Sequence, residues 1–141
     1  MAKSFLLEIV TPEKLFYYGK AEIVIARTLT GEEGFMAGHS WACKLLGTGE
    51  LWFREAGEKD YRLAAVSGGF VDVQDHILVF TDSAEWAEEI DVDRATTAQK
   101  REQEWLDQHT PGDSETEEHK QAARRAANRQ KVAAGGVRQR H

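Results

Sequence analysis

Over its first 85 or so residues the chain carries short, β-rich apolar runs at near-regular spacing. They are Phe5–Val10, Glu22–Thr30, Leu51–Arg54, Tyr61–Val66, Phe70–Val73 and Ile77–Thr81. Turn signals separate them: Thr11-Pro12-Glu13, Gly31-Glu32-Glu33-Gly34, Gly47-Thr48-Gly49, Ala56-Gly57-Glu58-Lys59, Ser67-Gly68-Gly69 and Gln74-Asp75-His76. Many short strands with this punctuation predict a small β-sandwich or barrel. The run Ile77-Leu78-Val79-Phe80 is apolar on both faces, which suits a strand buried between two sheets.

From Ser83 the pattern changes. Glycine and β-branched residues thin out, and Ala, Glu, Gln, Lys and Arg take over, all strong helix formers. A first helix is predicted from about Asp91 to Gln108, with Asp91 as its N-cap. Ala95, Ala98, Trp105 and Leu106 fall near one stripe, broken by Glu102. Thr110-Pro111-Gly112-Asp113 breaks the helix. Ser114 is predicted to cap a second helix, with Glu117 at capping-box spacing. Acidic residues occupy its first turn and basic residues its later turns, as the helix dipole favours. Gly135-Gly136 ends it, and Val137–His141 are expected to fray. The two helices predict an antiparallel hairpin with an inner face mostly of alanine: Ala122, Ala123, Ala126, Ala127, Ala133 and Ala134. Alanine buries little area, so the hairpin gains only a few kcal/mol from its own packing. The expected organisation is a β-sandwich domain over residues 1–86 and a helical hairpin over 87–141, a mainly β fold with α.

Charge sharpens the division. Residues 1–86 carry 8 basic and 13 acidic side chains, residues 87–113 carry 3 and 8, and residues 114–141 carry 7 and 3. A basic tail on an acidic body points to an acidic partner or an anionic ligand, although a solvated helix face also accounts for it. Acidity and the lack of interleaved aromatics weigh against nucleic acid. No apolar run approaches the roughly 20 residues that span a bilayer, and Met1–Val10 lacks the pattern of a signal peptide. A bacterial-type cytoplasm is therefore expected. Cys43 is the only cysteine, which excludes an internal disulfide, and it reads as a small buried apolar side chain. His39, His76, His109, His119 and His141 are scattered without metal-ligand spacing. Glu115 and His119 stand four apart and read as a solvated helix face. No nucleophile–base pair stands out, so no catalytic residue is assigned.

Four segments resemble the epsilon subunit family of F-type ATP synthases. They are Leu7-Glu8-Ile9-Val10-Thr11-Pro12-Glu13 with Leu15-Phe16; Gly31-Glu32-Glu33-Gly34-Phe35-Met36-Ala37-Gly38-His39; Ala65–Val73 with Asp82-Ser83-Ala84-Glu85; and Ile90-Asp91-Val92-Asp93-Arg94-Ala95. Each is weak alone; their order and spacing carry the resemblance. Where the family usually continues its Gly-His pair with Ala-Pro-Leu, this chain has Ser40-Trp41-Ala42-Cys43-Lys44. Trp41 reads either as an interface anchor or as a side chain packed in the sandwich.

The resemblance implies a sandwich of about ten strands followed by two helices, in a rotor-stalk subunit that is not an enzyme by itself. It implies that the sandwich binds the gamma subunit and the ring of c subunits, with Gly38, His39 and Trp41 in the ring-facing loop. It further implies that the hairpin rises to block ATP hydrolysis, with Lys120, Arg124, Arg125 and Arg129 meeting acidic segments of the alpha and beta subunits. Some family members bind one ATP in the lowered hairpin. The matching positions are Glu85, Ile90, Asp91, Arg94, Ala95, Arg125 and Arg129, with Arg101 a looser match. Arg125 and Arg129 share a helical face and suit a triphosphate. No Gly-x4-Gly-Lys-Ser/Thr loop is present, so ATP is expected as a regulatory ligand, bound without hydrolysis and not a required cofactor. The implied location is peripheral, on the cytoplasmic face of the bacterial plasma membrane. Two alternatives stay open: a rotor coupler that neither inhibits nor binds ATP, and a small β-sandwich ligand-binding protein.

Overall fold

The structure, a computed structural model, describes residues 3–109 and 115–135 and the backbone of Ser114. Eight strands come first: β1 Phe5–Val10, β2 Leu15–Thr28, β3 Gly31–Met36, β4 Ala42–Glu55, β5 Arg62–Ser67, β6 Phe70–Val73, β7 Ile77–Phe80 and β8 Ser83–Trp86. A 3-10 turn, Ala87–Glu89, leads to helices α1, Val92–Asp107, and α2, Ser114–Ala133.

The strands run in the order β3-β2-β1-β7-β6-β4-β5-β8, and a further β2–β4 pairing closes the sheet on itself. Two strands of 14 residues make this possible. The first half of β2 pairs with β1, and its second half with β3 and β4. The start of β4 pairs with β6 and its later part with β5. Eight strands therefore replace the expected ten or so, because β2 and β4 each serve two neighbourhoods without a break. Inward residues of both layers form one core, with Leu7, Ile9, Val24, Phe35, Leu51, Phe53, Val71 and Val79 fully buried.

The glycine pair after β5 has a steric cause. Gly69 has φ +97, and a Cβ there would lie 1.9 Å from the Phe80 carbonyl oxygen. No other residue fits that approach. Beside it the buried Thr81 hydroxyl accepts from the Ser67 N–H at 3.2 Å, with the Ser67 and Ser83 carbonyls within 3.2 Å as acceptors. This knot sets the bend that turns the chain into β8.

Several sequence expectations are corrected. β3 and the Gly47–Gly49 stretch of β4 are strand where turns were expected, and β2 starts at Leu15, seven residues before Glu22. Ser83–Trp86 is an edge strand on β5, not the approach to a helix. Cys43 is exposed. It lies opposite Asp72 on the outward side of β4, where strand alternation puts it.

The helices agree more closely. Asp91 caps α1, its side chain accepting from the Arg94 N–H at 3.1 Å. In α2, Ala126 and Val132 are buried, whereas Ala134, just past its end, is exposed. The expected break at Thr110–Asp113, the Ser114 capping side chain and Val137–His141 lie outside the description. Near the closed end of the hairpin Trp105 is stacked between two imidazoles, His109 and His119, each 3.7 Å from it. His119 also pairs with Glu102. Glu102, which broke the apolar stripe, thus links the helices, and His119 is not on a plain solvated face.

Candidate functional site

β8 and α2 meet over β5, and four of the residues predicted from sequence, Glu85, Arg101, Arg125 and Arg129, gather along that seam. β8 pairs antiparallel with β5, placing Glu85 opposite Ala65. Arg129 reaches across from α2: its Nε lies 2.6 Å from Glu85 Oε1 and its Nη2 donates to Oε2 at 3.1 Å. Arginine forks match carboxylates and phosphates alike, so this group holds Glu85 now and suits a phosphate equally.

Around the pair lies a cavity of about 380 Å³. Glu85, Arg101, Arg125 and Arg129 all line it, brought from β8, α1 and α2. A neighbouring cavity of about 320 Å³ shares Arg101 and Arg129 and adds Arg94. Both volumes suit small-molecule binding. The first is lined by three arginines, Arg101, Arg125 and Arg129, with the carboxylates of Glu85 and Glu102, and has hydroxyls from Thr48, Ser67 and Ser83. A ligand with phosphate groups at one end and hydrogen-bonding atoms at the other complements that polarity.

Ile90, Asp91 and Ala95 line neither cavity. Ile90 is buried in a second apolar cluster beneath the hairpin, Asp91 is the α1 cap, and Ala95 is fully buried. Their places support the backbone that presents Arg94. Sequence reasoning missed Thr48, Ser67, Ser83 and Asn128, which also line the main cavity. Nothing local marks them: Asn128 donates to the Gly49 carbonyl at 3.0 Å across 79 positions.

The turn between β3 and β4 is a separate feature. Gly38 has φ +85, and the His39 N–H donates to the Met36 carbonyl at 3.1 Å. The His39 ring stands edge-on to Phe35, 5.0 Å away. Trp41 follows, 68% exposed, with Met36 also exposed. Packing of Trp41 within the sandwich is thereby overturned. On α2, Arg124 and Arg125 are exposed and Lys120 is half-buried, and among the described residues none of the three is held by an acidic group.

An aromatic group at the end of β8 packs against the main core. Trp86 stacks on Phe16 at 4.3 Å and carries the Arg62 guanidinium 3.8 Å over its ring. Nearby, Tyr17 donates to Glu55 at 3.2 Å. Burial, reinforced by the Glu55 charge and hydrogen bond, pushes the Tyr17 hydroxyl up from 10.0 to about 12. Trp86 thus anchors the strand end from which the hairpin departs.

A sequence model of the family described as ATP synthase, Delta/Epsilon chain, beta-sandwich domain matches residues 4–87. The ATP synthase epsilon chain of Caldicellulosiruptor saccharolyticus is 39% identical over 126 residues, covering 89% of this chain and 90% of that relative. That of Bacillus pumilus is 36% identical over 132 residues, covering 93% and 98%. Among solved structures, a chain of the Euglena gracilis mitochondrial ATP synthase, OSCP/F1/c-ring, aligns with TM-score 0.77 at 23% identity, over 89% of this chain and 78% of that one. A chain of the Tetrahymena thermophila mitochondrial ATP synthase central stalk/c-ring aligns with TM-score 0.60 at 16% identity, over 94% and 96%. The two structural likenesses show the fold. The chain belongs to the epsilon chain family of ATP synthase, and it is a non-catalytic subunit of that complex.

Proposed function

We propose that this chain is a central-stalk rotor subunit that couples ion translocation to ATP synthesis, and that its hairpin regulates ATP hydrolysis in response to ATP. In this reading the sandwich binds the gamma subunit and the c-ring, with the Gly38–Trp41 turn facing the ring. The complex holds the chain peripherally at the cytoplasmic face of the plasma membrane. None of the helices in the described residues is long and apolar enough to cross a membrane, which is compatible with a peripheral position. In the raised state α2 offers Lys120, Arg124, Arg125 and Arg129 to acidic segments of the alpha and beta subunits. In the lowered state ATP occupies the groove between β8, α1 and α2 and holds the hairpin down.

One observation carries the regulatory reading: Glu85, Arg101, Arg125 and Arg129, chosen from sequence, converge on a single cavity. Modest affinity suffices. A millimolar dissociation constant corresponds to about −4 kcal/mol, comparable with the gap between two hairpin positions. The groove offers no Mg²⁺-binding hydroxyl on a phosphate-cradling loop, so ATP is bound and released unchanged.

Calorimetric titration of the isolated full chain with ATP tests this. Saturable heat at millimolar or lower concentration, reduced by Arg125→Ala, is expected. A folded sample with no saturable heat up to several millimolar would leave a rotor coupler without ATP sensing.

A further inference from the structure

A second contact holds the hairpin to the sandwich, away from the arginine groove. Val132, near the end of α2, is fully buried in a cluster with Trp52 of β4, Leu63 and Ala65 of β5, Ile25 of β2 and Ile90. Two polar contacts flank it. Asn128 Nδ2 donates to the Gly49 carbonyl at 3.0 Å, and Lys131 Nζ lies 3.6 Å from Glu50 Oε1. The other Glu50 oxygen accepts from Trp52 Nε1 at 2.8 Å. Asn128, Lys131 and Val132 stand at i, i+3 and i+4, on one face of α2. Gly49, Glu50 and Trp52 sit within four consecutive positions of β4.

We propose that these residues form a ligand-independent lock, with Val132 as its plug. The lock opposes the departure of α2 from β4 whether or not nucleotide fills the groove; bound ATP adds to it, and raising the hairpin requires a separate unplugging step. The physical case rests on relative weight. In the cluster where α2 meets the sandwich, Val132 is fully buried and Ala133 only partly so, so this one valine against a tryptophan is a large share of the apolar docking. Lys131 is half exposed, and its pair with Glu50 is a weak rim contact. Glu50 itself is 6% exposed, and its indole and ammonium neighbours compensate its burial while α2 is docked. When α2 leaves, Glu50 regains water but Trp52, Leu63 and Ile25 lose their apolar cover. Plug removal is therefore the dominant opposing step. The consequence for hydrolysis in the complex rests on the regulatory reading above; the lock itself does not.

The test is fluorine NMR of the full chain carrying 5-fluorotryptophan, without nucleotide, with lines assigned by single Trp→Phe variants. In the unmodified sequence the Trp52 line is expected at a buried position. Val132→Ala should raise the undocked fraction roughly tenfold, the equivalent of about 1.4 kcal/mol. Val132→Asp should move the Trp52 line fully to the exposed position. The Trp86 line, which reports the sandwich, should hold in both. Arg94→Ala should abolish ATP heat yet leave Trp52 buried. A Trp52 line unchanged by both Val132 variants would overturn the lock. So would an exposed Trp52 in the nucleotide-free, unmodified chain. Absence of ATP binding with Trp52 buried would instead support the lock and overturn the ATP-sensing reading.

Discussion

Arg129 of α2 pairs with Glu85 of β8 across 44 positions of sequence: its Nη2 donates to Oε2 at 3.1 Å, and its Nε lies 2.6 Å from Oε1 as an ion-pair contact without hydrogen-bond alignment. The pair ties the hairpin to the sandwich edge and sits in the wall of the arginine groove. It makes Arg129 a group with two possible partners, a carboxylate within the chain and a phosphate from outside.

Arg129→Ala therefore weakens ATP binding by at least roughly tenfold, since hydrogen bonds to charged groups contribute about 1.5–3 kcal/mol. Arg129→Lys is expected to recover only part of it, because an ammonium cannot reproduce the fork. Titration calorimetry of the full-length variants measures both. Equal affinity in all three proteins would remove Arg129 from the site.

Gly69→Ala should destabilise the sandwich by about 3 kcal/mol or more. Two terms act together, a Cβ 1.9 Å from the Phe80 oxygen and a backbone at φ +97. Thermal unfolding should show a melting temperature lowered by more than 10 °C for a domain of this size. A melting temperature within 2 °C or so of the unmodified chain would mean the bend relaxes freely.

β1 and β6 match their apolar runs residue for residue, because alternation or an unbroken apolar run is a local signal. The Asp91 cap was legible for the same reason. β3 was not: Gly31, Glu32 and Gly34 carry turn chemistry, and pairing with β2 holds them extended. β8 reads Ser-Ala-Glu-Trp, which has no strand signature, and only its ladder with β5 makes it one. The charged wall of the groove was legible through family resemblance, one residue at a time. Its uncharged polar side was not, since Thr48, Ser67 and Asn128 meet only after the chain closes on itself.

Trp41→Ala should leave folding stability within about 0.5 kcal/mol, because the side chain is mostly in solvent. The same change should weaken capture of the chain by the c-ring, assayed by co-purification with gamma present. Undiminished capture would assign Trp41 no part in the interface.

Tyr17 gives a pH prediction. Unfolded, its hydroxyl ionises near 10.0; folded, near 12. Below pH 10 both states are protonated and the stabilisation is intact. As pH climbs from about 10 to about 12, the unfolded chain releases a proton that the folded chain retains, and stability falls. Tyr17→Phe should be less stable at neutral pH, through loss of the bond to Glu55, yet flatter across that alkaline window. Denaturant titrations at pH 9, 10 and 11 report it; parallel slopes for the two proteins would contradict the assignment.

The central claim is that the hairpin restrains hydrolysis while the sandwich attaches the chain to the stalk. The most direct measurement compares ATP hydrolysis by complexes reconstituted with the full chain and with a chain ending at Trp86, gamma retention being confirmed for both. The account predicts equal retention of gamma and faster hydrolysis with the shortened chain. Equal hydrolysis rates, with gamma retained in both, would contradict it.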